Sequence, residues 1–93
     1  MQLSGQTTVT TAGTAVVLGD EVVNSVLIVK ALPGNAGYVY VGNDGEDDVS
    51  SLTGFPLDAG DVMIFREVGN LSSIHVDSAE DGDKVAWIIG GTL

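Results

Sequence analysis

The 93-residue sequence contains no cysteine. Neither a disulfide framework nor a thiolate metal site can therefore stabilise it. Bases are nearly as scarce: three Lys and Arg stand against 13 Asp and Glu, a formal net charge of −10. Phosphate binding needs clustered Lys or Arg, whereas Lys30, Arg66 and Lys84 lie far apart in sequence. Direct contact with nucleic acid or an anionic membrane is not expected. The charge balance fits solubility by self-repulsion, a cationic partner surface, or bound cations. Long apolar runs are missing as well. VLIV at 26–29 falls far short of the roughly 20 residues a spanning helix needs. The stretch MQLSGQTTVT has no basic region and no apolar core, so it does not read as a signal peptide. Asn70-Leu71-Ser72 spells a glycosylation sequon, read here as a chance match without a secretory signal.

What is present is a strand-forming alternation broken by glycine. Hydrophobic residues make up 44% of the chain, enough for one small domain with a single core. So small a chain without covalent staples often gains stability by burying surface against copies of itself or a partner. In DVMIFRE, Val62 and Ile64 share one face and Met63 and Phe65 the other; SIHVDS sets Ile74 and Val76 against Ser73, His75 and Asp77. DKVAWIIGG puts Val85, Trp87 and Ile89 on one face, which places Trp87 in the core, and YVYV opposes Tyr38 and Tyr40 to Val39 and Val41. Period two in Val-, Ile- and Thr-rich runs is the mark of half-buried antiparallel strands. Turn compositions such as PGNAG, GNDGED and EDGD separate them, and no helical stripe is sustained. The expected fold is all-β: an antiparallel β-sandwich or jelly-roll-like domain of about seven to eight strands.

Strands are expected near 6–11, 14–18, 24–32, 37–42, 61–67, 73–78 and 83–90, with a short extended piece at Phe55–Leu57. Pro56 cannot donate to a ladder, so that piece belongs at an edge or bend. SVLIVKA is apolar on both faces, as befits a central strand or one covered by a neighbouring subunit. Residues 1–12 form either an edge strand or an arm laid on another chain by strand addition, and residues 13–93 the sandwich. Interface candidates are Leu3, Gln6, Thr7, Thr8 and Val9 in the N-terminal segment and Leu27 and Val29 on the two-faced strand.

The candidates for chemistry are few. His75 is flanked at two residues by Ser73 and Asp77. Residues i and i+2 on a strand stand nearly 7 Å apart side by side, which does not give the nucleophile–base contact of a triad. His75 is expected to be a solvated surface residue, and no enzymatic activity is expected. GNDG and VGN match no phosphate-binding glycine motif. Asp44, Glu46, Asp47 and Asp48 crowd one turn, but neither GNDGEDD nor EDGD has EF-hand ligand spacing. An irregular calcium site at those four acids is the minority reading beside a solvated loop tip; otherwise no cofactor or metal is expected. Tyr38, Tyr40 and Trp87 raise carbohydrate stacking only weakly.

Four segments carry a family resemblance. Asn35–Gly42 fits N-x-G-x-V-Y-V-G, and Val49–Asp61 fits V-S-S-x-x-G-F-P-L-x-x-G-[DE]. Asn70–Asp77 fits N-L-x-x-I-x-V-D, and Gly82–Trp87 fits G-D-x-V-x-W. In order and spacing, over roughly residues 25–90, the chain resembles a small β-module of tailed-bacteriophage virion proteins. At this size it is similar to the decoration, or cement, proteins on the outer surface of icosahedral heads. The resemblance implies a non-enzymatic structural protein that binds the phage major capsid protein and itself, as a homotrimer. The same module also occurs in fibre and tail proteins, which leaves a receptor- or glycan-binding role as the alternative. Within Val49–Asp61, Gly54 reads as a turn that plants Phe55 at the edge of the sandwich.

Overall fold

The computed structural model describes residues 2–90. Among these residues ten strands follow one another: β1 (Ser4–Thr8), β2 (Val16–Val17), β3 (Val22–Val23), β4 (Leu27–Ala31), β5 (Val39–Gly42), β6 (Phe55–Leu57), β7 (Val62–Phe65), β8 (Gly69–Asn70), β9 (His75–Ser78) and β10 (Lys84–Ile89). A 3-10 turn, Leu71–Ser73, precedes β9, with the Asn70 side chain capping it through the Ser72 amide.

The pairing is nested: β1 with β10, β2 with β9, β3 with β8, β4 with β7 and β5 with β6, all antiparallel. The chain is thus one long hairpin whose tip is the 43–54 loop. Two further pairings, β10 with β4 and β9 with β5, roll this hairpin into two four-stranded sheets. Sheet 1 runs β1-β10-β4-β7 and sheet 2 runs β2-β9-β5-β6, with β3-β8 a short ribbon between. Two rolled sheets of this order form a jelly roll, which leaves only short edges.

Alternation determines what fills the space between the sheets. Leu27, Val29 and Ala31 of β4 and Val85, Trp87 and Ile89 of β10 point inward from sheet 1, with Met63 and Phe65 packed alongside. Val39, Val41, Leu57 and Val76 answer from sheet 2, and Val9, Leu18, Val23, Leu71 and Ile74 complete the core. Trp87 lies in the core as its face requires. Its ring passes over β1, where a Cβ on Gly5 would sit 2.8 Å from Trp87 Cζ2.

Most expected strands contain an observed one. The first is displaced, from 6–11 to Ser4–Thr8, and the two-residue β3 and β8 lie outside every expected span. β1 is an edge strand of sheet 1, joined to β10 along its whole length. SVLIVKA supplies the interior strand β4, and Phe55–Leu57 is an edge strand with Pro56 opposite Tyr40. In that strand Leu57 is the buried residue, and Phe55 remains more than half exposed.

Candidate interaction surface

At one end of the sandwich, acidic side chains are committed to holding loops together. Asp83 is 5% exposed; its Oδ1 accepts from the Ala36 amide and its Oδ2 from the Gly37 amide, both at 2.9 Å. Asn35 answers from the other side, donating through Nδ2 to the Lys84 carbonyl at 2.8 Å and accepting the Lys84 amide at 2.9 Å. Asp77 Oδ1 takes the Gly13 amide at 2.9 Å, and Asp81 Oδ1 the Ala12 amide at 2.7 Å. Three connections, 9–15, 32–38 and 79–83, are tied into one unit by these bonds. Charged acceptors make the stronger kind of hydrogen bond. An open cleft of about 360 Å³ lies here, lined by Leu32–Asn35 and Gly82–Lys84. Its two polar side chains with acceptor oxygens, Asn35 and Asp83, are already engaged by backbone amides.

His75 and Asp77 depart from expectation. Both belong to the outward face of sheet 2, yet His75 is 8% exposed and Asp77 is buried. The cover comes from distant parts of the chain. The 11–14 turn lies across Asp77 through the Gly13 amide. The 43–54 loop folds back over β5, with Val49 buried and its Cγ2 3.8 Å from the Cβ position of Gly42, directly opposite His75. Close approach requires glycine at 54, where a Cβ would meet Tyr40 Cβ at 2.6 Å and Val49 Cγ2 at 2.8 Å. His75 Nδ1 is buried without a hydrogen-bond partner. Ser73 Oγ donates to the Asn70 carbonyl, and Asp77 Oδ1 accepts the Gly13 and Ser78 amides. Ser73 and Asp77 are therefore engaged elsewhere, and the three are not linked as a triad.

The acidic loop folds on itself. The Asp44 amide donates to the Asp48 carbonyl at 2.7 Å, and Asp44 Oδ1 accepts from the Glu46 amide. Asp48 Oδ1 takes the Val49 amide, and Asp47 adopts a left-handed conformation at φ 58°. Asn43 Nδ2 reaches Asp47 Oδ1 at 3.5 Å. Among the described residues, no three His, Asp or Glu side chains converge as a metal cluster.

The surface with the most distinctive chemistry is the outward face of sheet 1. Ser4, Gln6 and Thr8 from β1 point there, with Lys84, Ala86 and Ile88 from β10, Ile28 and Lys30 from β4, and Val62 and Ile64 from β7. Register aligns Ile88, Ile28 and Ile64 in one row across three strands, and Ala86, Lys30 and Val62 in the next. Directly opposed side chains on one face lie about 5 Å apart, so the rows are continuous. Ile88, Ile64 and Val62 are 53%, 52% and 51% exposed. None of these outward side chains is acidic, in a chain with 13 acids, and two of its three bases are among them.

The interface candidates divide accordingly. Leu3, Gln6 and Thr8 are exposed. Thr7 turns inward and donates to the Leu18 carbonyl. Val9, Leu27 and Val29 are fully buried and cannot meet a partner, because of the two apolar faces of SVLIVKA the one carrying Ile28 and Lys30 points outward. Sequence reasoning did not name Ile28, Lys30, Val62, Ile64 or Ile88 as surface candidates. The signal was present in the doubled apolarity of SVLIVKA and DVMIFRE, but the faces could not be assigned without the register.

No protein-family model matches the chain, and no curated protein matches it.

Proposed function

We propose that this chain is a non-enzymatic structural protein of a tailed-phage virion, bound to the outside of the head, where it bridges major capsid subunits. The observation that carries the reading is the rolled, nested topology, an architecture used by viral capsid and lectin domains. By itself this is an analogy of fold. The four-segment sequence pattern narrows it. Asn35 binds the backbone of Lys84, and Asp83 the amides of Ala36 and Gly37, so side chains from two of those segments tie the segments together across the fold. A bridging protein stabilises a lattice by binding only its assembled form, and an acidic exterior protein does not compete for packaged DNA.

The test is binding of the purified chain to expanded, undecorated heads, viewed by electron microscopy. Regular density on the outer surface at capsomer junctions is the expected result. Absence of binding at micromolar concentration would overturn the reading. The alternative, a fibre or tail module that binds a glycan receptor, draws on the exposed Tyr38 and Phe55, since exposed aromatic faces suit sugar stacking. It predicts retention on a glycan array and loss of that retention in Phe55→Ala.

A further inference from the structure

We infer that the outward face of sheet 1 is the docking face, and that its occupant is a protein surface presenting aliphatic side chains beside carboxylates. The inference deepens the structural-protein reading and rests on it. Two independent features of the face support it.

The first is apolar. The alternation rule for a sandwich places polar residues outside, and sheet 1 breaks it with an Ile88–Ile28–Ile64 row and Val62 beside it. Each of Ile88, Ile64 and Val62 keeps more than half its surface in water. Contiguous exposed apolar side chains rimmed by polar ones mark interaction sites. The rows are built on four hydrogen-bonded strands, so the surface is preorganised and little ordering entropy is lost on docking.

The second is electrostatic, and it selects the occupant. The molecule carries −10 overall, yet Lys30 sits inside the apolar rows and Lys84 at their margin, with no acid among the outward side chains of the sheet. A nucleic acid or an anionic bilayer would meet only two cations here and repulsion from the remainder of the chain. A second copy docked face to face would bring no carboxylate from its own sheet 1 face to either lysine. A protein surface with an aliphatic centre and a few carboxylates satisfies both the rows and the lysines, and complementarity of this kind fixes register and specificity.

The experiment uses the full chain and expanded, undecorated heads in a co-sedimentation assay, with Ile64→Asp, Lys30→Glu and, as a control, Leu52→Asp. Leu52 is 92% exposed, on the loop that covers the opposite sheet. Ile64 and Lys30 are outward-facing, so their variants should retain buried Trp87 emission, which verifies folding. The expected result is at least about a tenfold loss of binding for each face variant, and none for Leu52→Asp. The Lys30→Glu loss should shrink at about 0.5 M salt while the Ile64→Asp loss persists. Folded face variants that bind as the wild type does would overturn the docking face and leave the capsid reading intact. A wild-type chain that does not bind heads would overturn both. Face variants that abolish self-association but not head binding would replace the proposed occupant with a second copy.

Discussion

Asp83 shows most plainly how a single residue in this chain is placed. A carboxylate that is 5% exposed is costly unless its lone pairs are taken, and the Ala36 and Gly37 amides take one oxygen each. Asp83→Ala should lower stability by about 2 kcal/mol, because hydrogen bonds to charged acceptors are the stronger kind. Asp83→Asn keeps one acceptor and should lose roughly half as much. Urea midpoints of the three proteins provide the check; equal midpoints for alanine and wild type would mean that the loop is held by other contacts. His75 is the contrasting residue, since its Nδ1 is buried with no partner. The sequence pattern correctly put it on the outward face but not under cover. The cover on this face comes from Val49, 26 positions from His75, and from the Gly13 amide, 64 positions from Asp77, and no alternation pattern encodes such a lid. The acids of EDGD could not be read from sequence for the same reason: whether a carboxylate is solvated or accepts a loop amide depends on which loop folds beside it.

Elements were legible where they are long and half-buried. β4, β5, β7 and β10 each fall inside an expected span, because period-two patterning reports a buried face directly. β3 and β8, two residues each, left no such pattern; they exist because Val22–Val23 and Gly69–Asn70 happen to meet across the fold. The N-terminal segment was the hardest element to read. SGQTT is weakly apolar, which suits a detachable arm as well as an edge strand. In the structure β1 pairs with β10 over five positions, Gly5 lies beneath the Trp87 ring, and the Ile89 amide donates to the Leu3 carbonyl. A detachable arm could be removed with the domain left folded, and these contacts argue against that for residues 1–8. The deletion should uncover Trp87, open the β10 edge to pairing with other chains, and lower stability on the order of 4 kcal/mol. Trp87 is the only tryptophan, so a red-shifted emission maximum reads the loss directly. An unchanged maximum together with an unchanged urea midpoint would restore the arm.

At the scale of the whole molecule, the charge distribution sets two responses to salt that run in opposite directions. Eleven of the 13 acids, all but Asp77 and Asp83, lie outside the buried set, and the net charge of −10 makes the folded chain repel itself. Compaction brings those charges closer than they are in the unfolded chain, so repulsion favours unfolding. Added salt shortens the screening length from about 30 Å at 0.01 M to below 10 Å above 0.1 M, which should relieve the repulsion. The urea midpoint should therefore rise between about 0.01 M and 0.5 M sodium chloride, by an amount equivalent to about 1 kcal/mol. Docking through the sheet 1 face should respond the other way, because Lys30 and Lys84 attract carboxylates across a contact that the same ions screen. A single salt titration with two readouts, unfolding in urea and co-sedimentation with heads, separates the terms. Stability that rises while binding falls fits an acidic body with one cation-bearing, apolar face. Stability that falls with salt would mean that attractive pairs outweigh the net repulsion. Binding that strengthens with salt would mean that the face docks through its isoleucines alone.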